Sequence, residues 1–113
     1  MKWRHAWPGA LLLFQSATAY AQSPIPFGAR ASVALGLVGC RNVNTMNRVA
    51  ELIIMKDIQA AVSLATREGQ MCKLFEPGMR VIVEGFSAPH SLVCIRLSGD
   101  PDCYWFPSNY LHQ

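Results

Sequence analysis

Several things are scarce in this chain, and each scarcity removes a class of function. Charged residues make up only 15% of the 113 residues. The bases Arg30, Arg41, Arg48, Lys56, Arg67, Lys73, Arg80 and Arg96 occur singly. Binding to nucleic acid needs clustered cations to neutralise phosphates, so the scatter argues against that role. No apolar run approaches the ~20 residues a bilayer-spanning helix requires. There is no C-x-x-C pair, and His90 and His112 stand at no zinc-ligand spacing. Nothing resembles a nucleophile elbow. Ser87, His90 and Ser91, with Asp100 and Asp102 further on, lack the ordered base and oxyanion donors a serine nucleophile requires. The seven acids are scattered, Asp57 reading as a helix cap and Glu76 as a turn residue, so paired carboxylates for glycoside chemistry are not evident either. The expectation is a non-enzyme without cofactor or metal.

The first 21 residues have the make-up of a secretory signal: Lys2 and Arg4, an apolar run around Ala10–Phe14, then Ala19-Tyr20-Ala21 as a small-x-small cleavage site. Cleavage after Ala21 takes the net charge from +3 to +1. The four cysteines, Cys40, Cys72, Cys94 and Cys103, all lie beyond that point. An even count in a short exported chain reads as two disulfides, with a metal site as the weaker alternative. A second reading competes at Leu37-Val38-Gly39-Cys40, which matches a lipobox. Lipidation of Cys40 would anchor the protein to a membrane and leave three thiols. The expected location is the periplasm or the medium, with the lipoprotein as alternative.

Residues 22–30, with two prolines and a glycine among Gln22–Gly28, read as a flexible lead-in to a single domain at 31–113. Ala31–Arg41 is apolar and reads as one buried strand. Helical periodicity follows over about 43–69. Asn44 or Thr45 caps a helix with Met46, Val49, Ala50 and Ile53 on one face, and Asp57 caps a second with Ile58, Ala61, Val62 and Ala65. Gly69 closes it. The apolar side of this hairpin is expected to pack on a sheet. The period then changes to two: Cys72–Phe75, Met79–Glu84, Leu92–Leu97 and Cys103–Phe106 read as strands, and Gly85–His90 as a loop. A hairpin turning symmetrically about Ser98-Gly99 sets Cys94 directly opposite Cys103. Cys40 then pairs with Cys72 by elimination.

The run Phe75-Glu76-Pro77-Gly78-Met79-Arg80-Val81-Ile82-Val83 resembles the hydrophobic-x-x-Gly-x-x-Val-x-Val strand of bacterial SH3-like domains. Val93-Cys94-Ile95-Arg96 and Tyr104-Trp105-Phe106-Pro107-Ser108-Asn109-Tyr110-Leu111 resemble their closing strands, with Tyr104 where a glycine normally sits. The resemblance implies an α+β chain: a small SH3-like β-barrel with a helical hairpin on its N-terminal side. It also implies a non-catalytic module that binds peptidoglycan peptides. Taken with export, the expected partner is a peptidoglycan peptide or an envelope protein, the alternative being an accessory subunit or inhibitor docking on a larger exported enzyme or secretion complex. The aromatic residues expected to line its groove are Phe86, Tyr104, Trp105 and Tyr110.

Overall fold

The computed structural model describes residues 25–113. The expected signal segment therefore lies outside the described residues. Seven strands form one antiparallel sheet: β1 (Arg30–Val33), β2 (Leu37–Cys40), β3 (Cys72–Phe75), β4 (Arg80–Ser87), β5 (Leu92–Leu97), β6 (Tyr104–Pro107) and β7 (Leu111–His112). Their order is β3-β2-β6-β5-β4-β1-β7. Two helices, α1 (Val43–Ile54) and α2 (Ile58–Arg67), stand between β2 and β3.

This corrects the expected architecture. The sheet is open, with β3 and β7 as free edges, and no SH3-like barrel is formed. The helices follow the first two strands and do not precede the sheet. The sheet nevertheless wraps one core. Phe75 on β3 shares a buried cluster with Ala31 and Val33 on β1, although five positions separate those strands in the order. Val81, Val83, Val93, Ile95, Tyr104 and Phe106 complete it. The rings of Tyr104 and Phe106 stand edge-on to Phe75 at 5.7 and 5.6 Å, a favoured aromatic geometry. Ile25 belongs to the same cluster, so the lead-in is anchored at that residue.

Three local readings also change. The segment read as a single first strand is two, β1 and β2, broken at Ala34–Gly36. There the N–H groups of Ala34 and Leu35 both donate to the Tyr110 carbonyl (2.8 and 3.2 Å), and the chain crosses from one side of the sheet to the other. A Cβ on Gly36 would stand 3.2 Å from Pro77 Cδ, so a larger residue at the bend would press on Pro77. The segment read as a loop from Gly85 is the second half of β4, displaced by a bulge at Glu84. Finally, Asn42, not Asn44 or Thr45, caps α1: its Oδ1 accepts from the N–H groups of Asn44 (2.8 Å) and Thr45 (3.2 Å).

Asp57 caps α2 as read, its Oδ1 accepting from Ala60 N–H at 3.2 Å. Between the helices, Lys56 takes φ 64°. Its N–H donates to Ile53 O (2.9 Å) and that of Asp57 to Leu52 O (2.8 Å), which is a Schellman closure with lysine where glycine is usual. The hairpin packs on the sheet through Met46, Val49, Leu52 and Ala61, against Cys40 and Leu92.

Candidate functional site

Both cystines form, Cys40–Cys72 and Cys94–Cys103. Cys40 and Cys72 are directly opposed on β2 and β3, with Cα atoms 4.0 Å apart. Cys40 is fully buried and its sulfur is bonded, and β1, which lies upstream of it, contributes Ala31 and Val33 to the core. A lipoprotein processed at Cys40 would lose that strand. The second cystine is made through a different register from the one expected. Cys94 lies opposite Trp105, not Cys103, and the bond runs to a residue just before β6, with Cα atoms 5.4 Å apart.

One row across the sheet therefore reads Cys72, Cys40, Trp105, Cys94, Gly85. Trp105 sits between the two cystines, and its ring lies over Gly85, where an added Cβ would come within 3.3 Å of Cη2. Trp105 packs against the hairpin-side cluster, whereas Tyr104 points into the sheet core. Phe86, opposite Val93, is 38% exposed. The four aromatic residues expected to share one groove are thus divided. Only Tyr110 lines a cleft.

That cleft has a volume of about 600 Å³. It lies between α1 and the short 3₁₀ turn Ser108–Tyr110 that follows β6, with the loop before β5 at one end. Leu37, Ile53, Ile54, Pro107 and Tyr110 give it apolar walls, and His90, Ser91, Ser108 and Asn109 add polar groups to the lining. The walls are held by specific contacts. Tyr110 stands edge-on to Phe106, ring centres 6.1 Å apart. Ser91 adopts φ 51°, and its carbonyl accepts the Ser108 N–H at 3.0 Å, tying the loop to the turn. A non-glycine residue held left-handed at a cleft marks a place where the surroundings outweigh local preference. His90 Nε2 lies 3.7 Å from Glu51 Oε2 on α1, beyond hydrogen-bond distance.

The loose Ser/His/Asp set is not assembled. Asp100 and Asp102 instead pair with Lys73 and Arg41, each at 3.3 Å. Asp100 is held below the usual carboxylate range, first by the Asp102 N–H it accepts; desolvation opposes this, and Lys73 and then Arg41 add to the lowering. Lys73 also stands 5.4 Å from the centre of the Tyr104 ring. Among the described residues no group of three His, Cys, Asp or Glu side chains converges as a metal site. Among them, too, no helix is long and apolar enough to cross a membrane.

Comparison with known proteins identifies no relative. No family model, no curated protein and no solved structure matches the chain. The cleft was hidden from sequence reasoning because its walls come from four separate stretches of the chain. Ile53, Pro107 and Tyr110 each carry an ordinary explanation on their own element.

Proposed function

We propose that this is an exported, non-catalytic binding module of the periplasm or cell envelope, and that its ligand occupies the cleft between α1 and the 108–110 turn. The observation that carries the reading is the cleft itself. Its volume of about 600 Å³ falls within the ordinary range of ligand sites, and it joins apolar walls to a few polar groups. Two cystines brace the sheet beside it, as suits a small domain working in an oxidising compartment.

Of the two ligand classes considered, an apolar segment of an envelope protein fits these walls better than a peptidoglycan peptide. Wall peptides are rich in carboxylates and amines, and neither has a counter-charge along Leu37, Ile53, Ile54 and Tyr110. On this reading the protein is an accessory subunit, with His90 and Asn109 hydrogen-bonding the backbone of the docked segment.

The test is a paired retention assay with the disulfide-intact protein. It is passed over purified peptidoglycan, and in parallel over an immobilised library of apolar decapeptides. Retention on peptides, abolished by Asn109→Trp at the cleft mouth, supports the protein-ligand reading. Retention on peptidoglycan alone supports the wall-peptide reading. Retention on neither contradicts a binding role for this cleft.

A further inference from the structure

Strand pairing gathers bases that stand singly in the sequence. On β1 and β4 the alternation of buried and exposed positions turns Ala31, Val33, Val81 and Val83 into the core, and Arg30, Ser32, Arg80 and Ile82 away from it. Arg30 lies opposite Ile82, and Ser32 opposite Arg80. Arg30 and Arg80 are therefore diagonal neighbours on one face, a spacing of about 7–8 Å that long side chains can bridge. Together with Val81, Ile82 and Ser98 they line a pocket of about 180 Å³.

We propose that this pocket binds a phosphate monoester group, with the guanidinium groups of Arg30 and Arg80 holding its oxygens and Ser98 adding a hydroxyl donor. Neither arginine has an ion-pair partner among the described residues, whereas Arg41, Arg48, Lys73 and Arg96 all do. Arg96, opposite Ile82 on the same face, is held by Glu84 at 2.8 Å and donates from Nη1 to the Asp100 carbonyl at 3.3 Å. Glu84 is thereby taken, and Glu76, in the turn before β4, forms no ion pair among the described residues. The other neighbours on this face are Ser32 and, opposite it on β7, His112. Lys56 and Arg67 are unpaired too, but each adjoins an acid in the chain, Asp57 or Glu68, and neither lines this pocket.

Charge and size select the ligand class. Like charges side by side on a strand pair repel, and an anion seated between them removes the repulsion. The arginine fork matches phosphate oxygens two at a time. A phosphate monoester carries about −1.5 to −2 near neutral pH, which a pair of free guanidinium groups balances better than it would a singly charged carboxylate. The pocket is smaller than the roughly 300–1,000 Å³ of ordinary small-molecule sites, so it takes the phosphate group itself and leaves the rest of the ligand outside. A soluble phosphate ester and a lipid with a terminal phosphate both offer that group. The pocket shares no lining residue with the cleft, so this inference does not rest on what the cleft binds.

Inorganic phosphate titrated into the isotope-labelled, disulfide-intact protein at low ionic strength tests it, read by NMR shifts of backbone amides and arginine side chains. Saturable shifts are expected at Arg30, Arg80 and Ser98, half-complete at ~1 mM phosphate. Arg30→Gln and Arg80→Gln should each weaken binding about 5-fold or more, with the rest of the spectrum unchanged because both side chains are exposed. Arg67→Gln removes the same charge elsewhere and should alter affinity less than about 2-fold. The absence of saturable shifts up to ~20 mM phosphate overturns the proposal. So does binding indifferent to Arg30→Gln and Arg80→Gln, an equal loss in Arg67→Gln, or acetate bound as tightly as phosphate. Co-sedimentation with phosphatidylcholine vesicles containing phosphatidic acid then separates the sources. Sedimentation lost in Arg80→Gln assigns the group to a lipid, and phosphate binding without it assigns a soluble ester; either result supports the site.

Discussion

The sheet core and the helical hairpin are built on different terms. The core is built of buried aromatic and β-branched residues from β1 and β3 through β6, with Phe75 fully buried between Tyr104 and Phe106. The hairpin is covered on one side only, and its attachment to the sheet runs through Cys40 and Leu92 and through the Cys40–Cys72 cystine at its base. Its other side leaves Ile54, Met55, Ile58 and Val62 exposed among polar residues. One region buries its apolar residues within itself, and the other buries only the face that meets the sheet. The cleft lies along the seam between them.

The sharpest way to break this contrast is to damage each half separately. Phe75→Ala removes a fully buried ring touching both Tyr104 and Phe106, and should cost about 3–5 kcal/mol in urea denaturation. Hydrogen exchange should then accelerate everywhere, because the core is global. Replacing Cys40 and Cys72 together by Ala opens a loop with a sequence separation of 32. The chain-entropy cost is about 3–4 kcal/mol. Here exchange should accelerate first in α1 and α2, with β4 and β5 still protected. Uniform acceleration in both variants would show that the two regions are one cooperative unit.

Smaller changes sharpen the comparison. Lys56 closes α1 in a left-handed conformation that glycine adopts without steric cost. Lys56→Gly is expected to raise stability by about 0.5–1 kcal/mol, read from the urea midpoint. The smallest effect belongs to Asp100. Its carboxyl is held below the ordinary value of 3.8, so its contribution is complete above that value and disappears as pH falls through the lower, folded-state value. Asp100→Asn should therefore lower stability slightly at neutral pH and flatten the acid limb of the stability curve. An unchanged acid limb would remove Asp100 from the account.

What could be read from the sequence follows the same division. Alternation in Met79–Glu84 identified Val81 and Val83 as inward, and both are buried in the sheet core. Periodicity located both helices, which is a short-range pattern, although the cap of α1 is Asn42; both cysteine pairings agree with the structure, but Cys94–Cys103 through a register it does not have and Cys40–Cys72, 32 residues apart, only by elimination. The errors lie where one residue decides a long-range event. Gly36 lets the first apolar run bend and cross the sheet, and a composition of Ala, Leu, Val and Gly does not announce a bend. Glu84 is the extra residue of a bulge, and Gly85 looked like the end of a strand because nothing local reveals the Trp105 ring that lies over it. Periodicity placed Ile58 and Val62 on a buried face, but the width of that face depends on how much sheet is available to cover it. Tyr104, Trp105 and Phe86 suffered likewise: aromatic character was legible, and the side of the sheet each would take was not.

The central claim is that two covalent sulfur links hold the sheet, one at the base of the helical arm and one between β5 and the start of β6, as suits an exported chain. Intact mass of the secreted protein, taken before and after reduction with alkylation of the thiols, examines it most directly. The account predicts a chain beginning at Gln22, unmodified by lipid, that takes up no alkylating agent until reduced and then takes up four equivalents, one for each cysteine. Four reactive thiols in the unreduced, folded protein would contradict it.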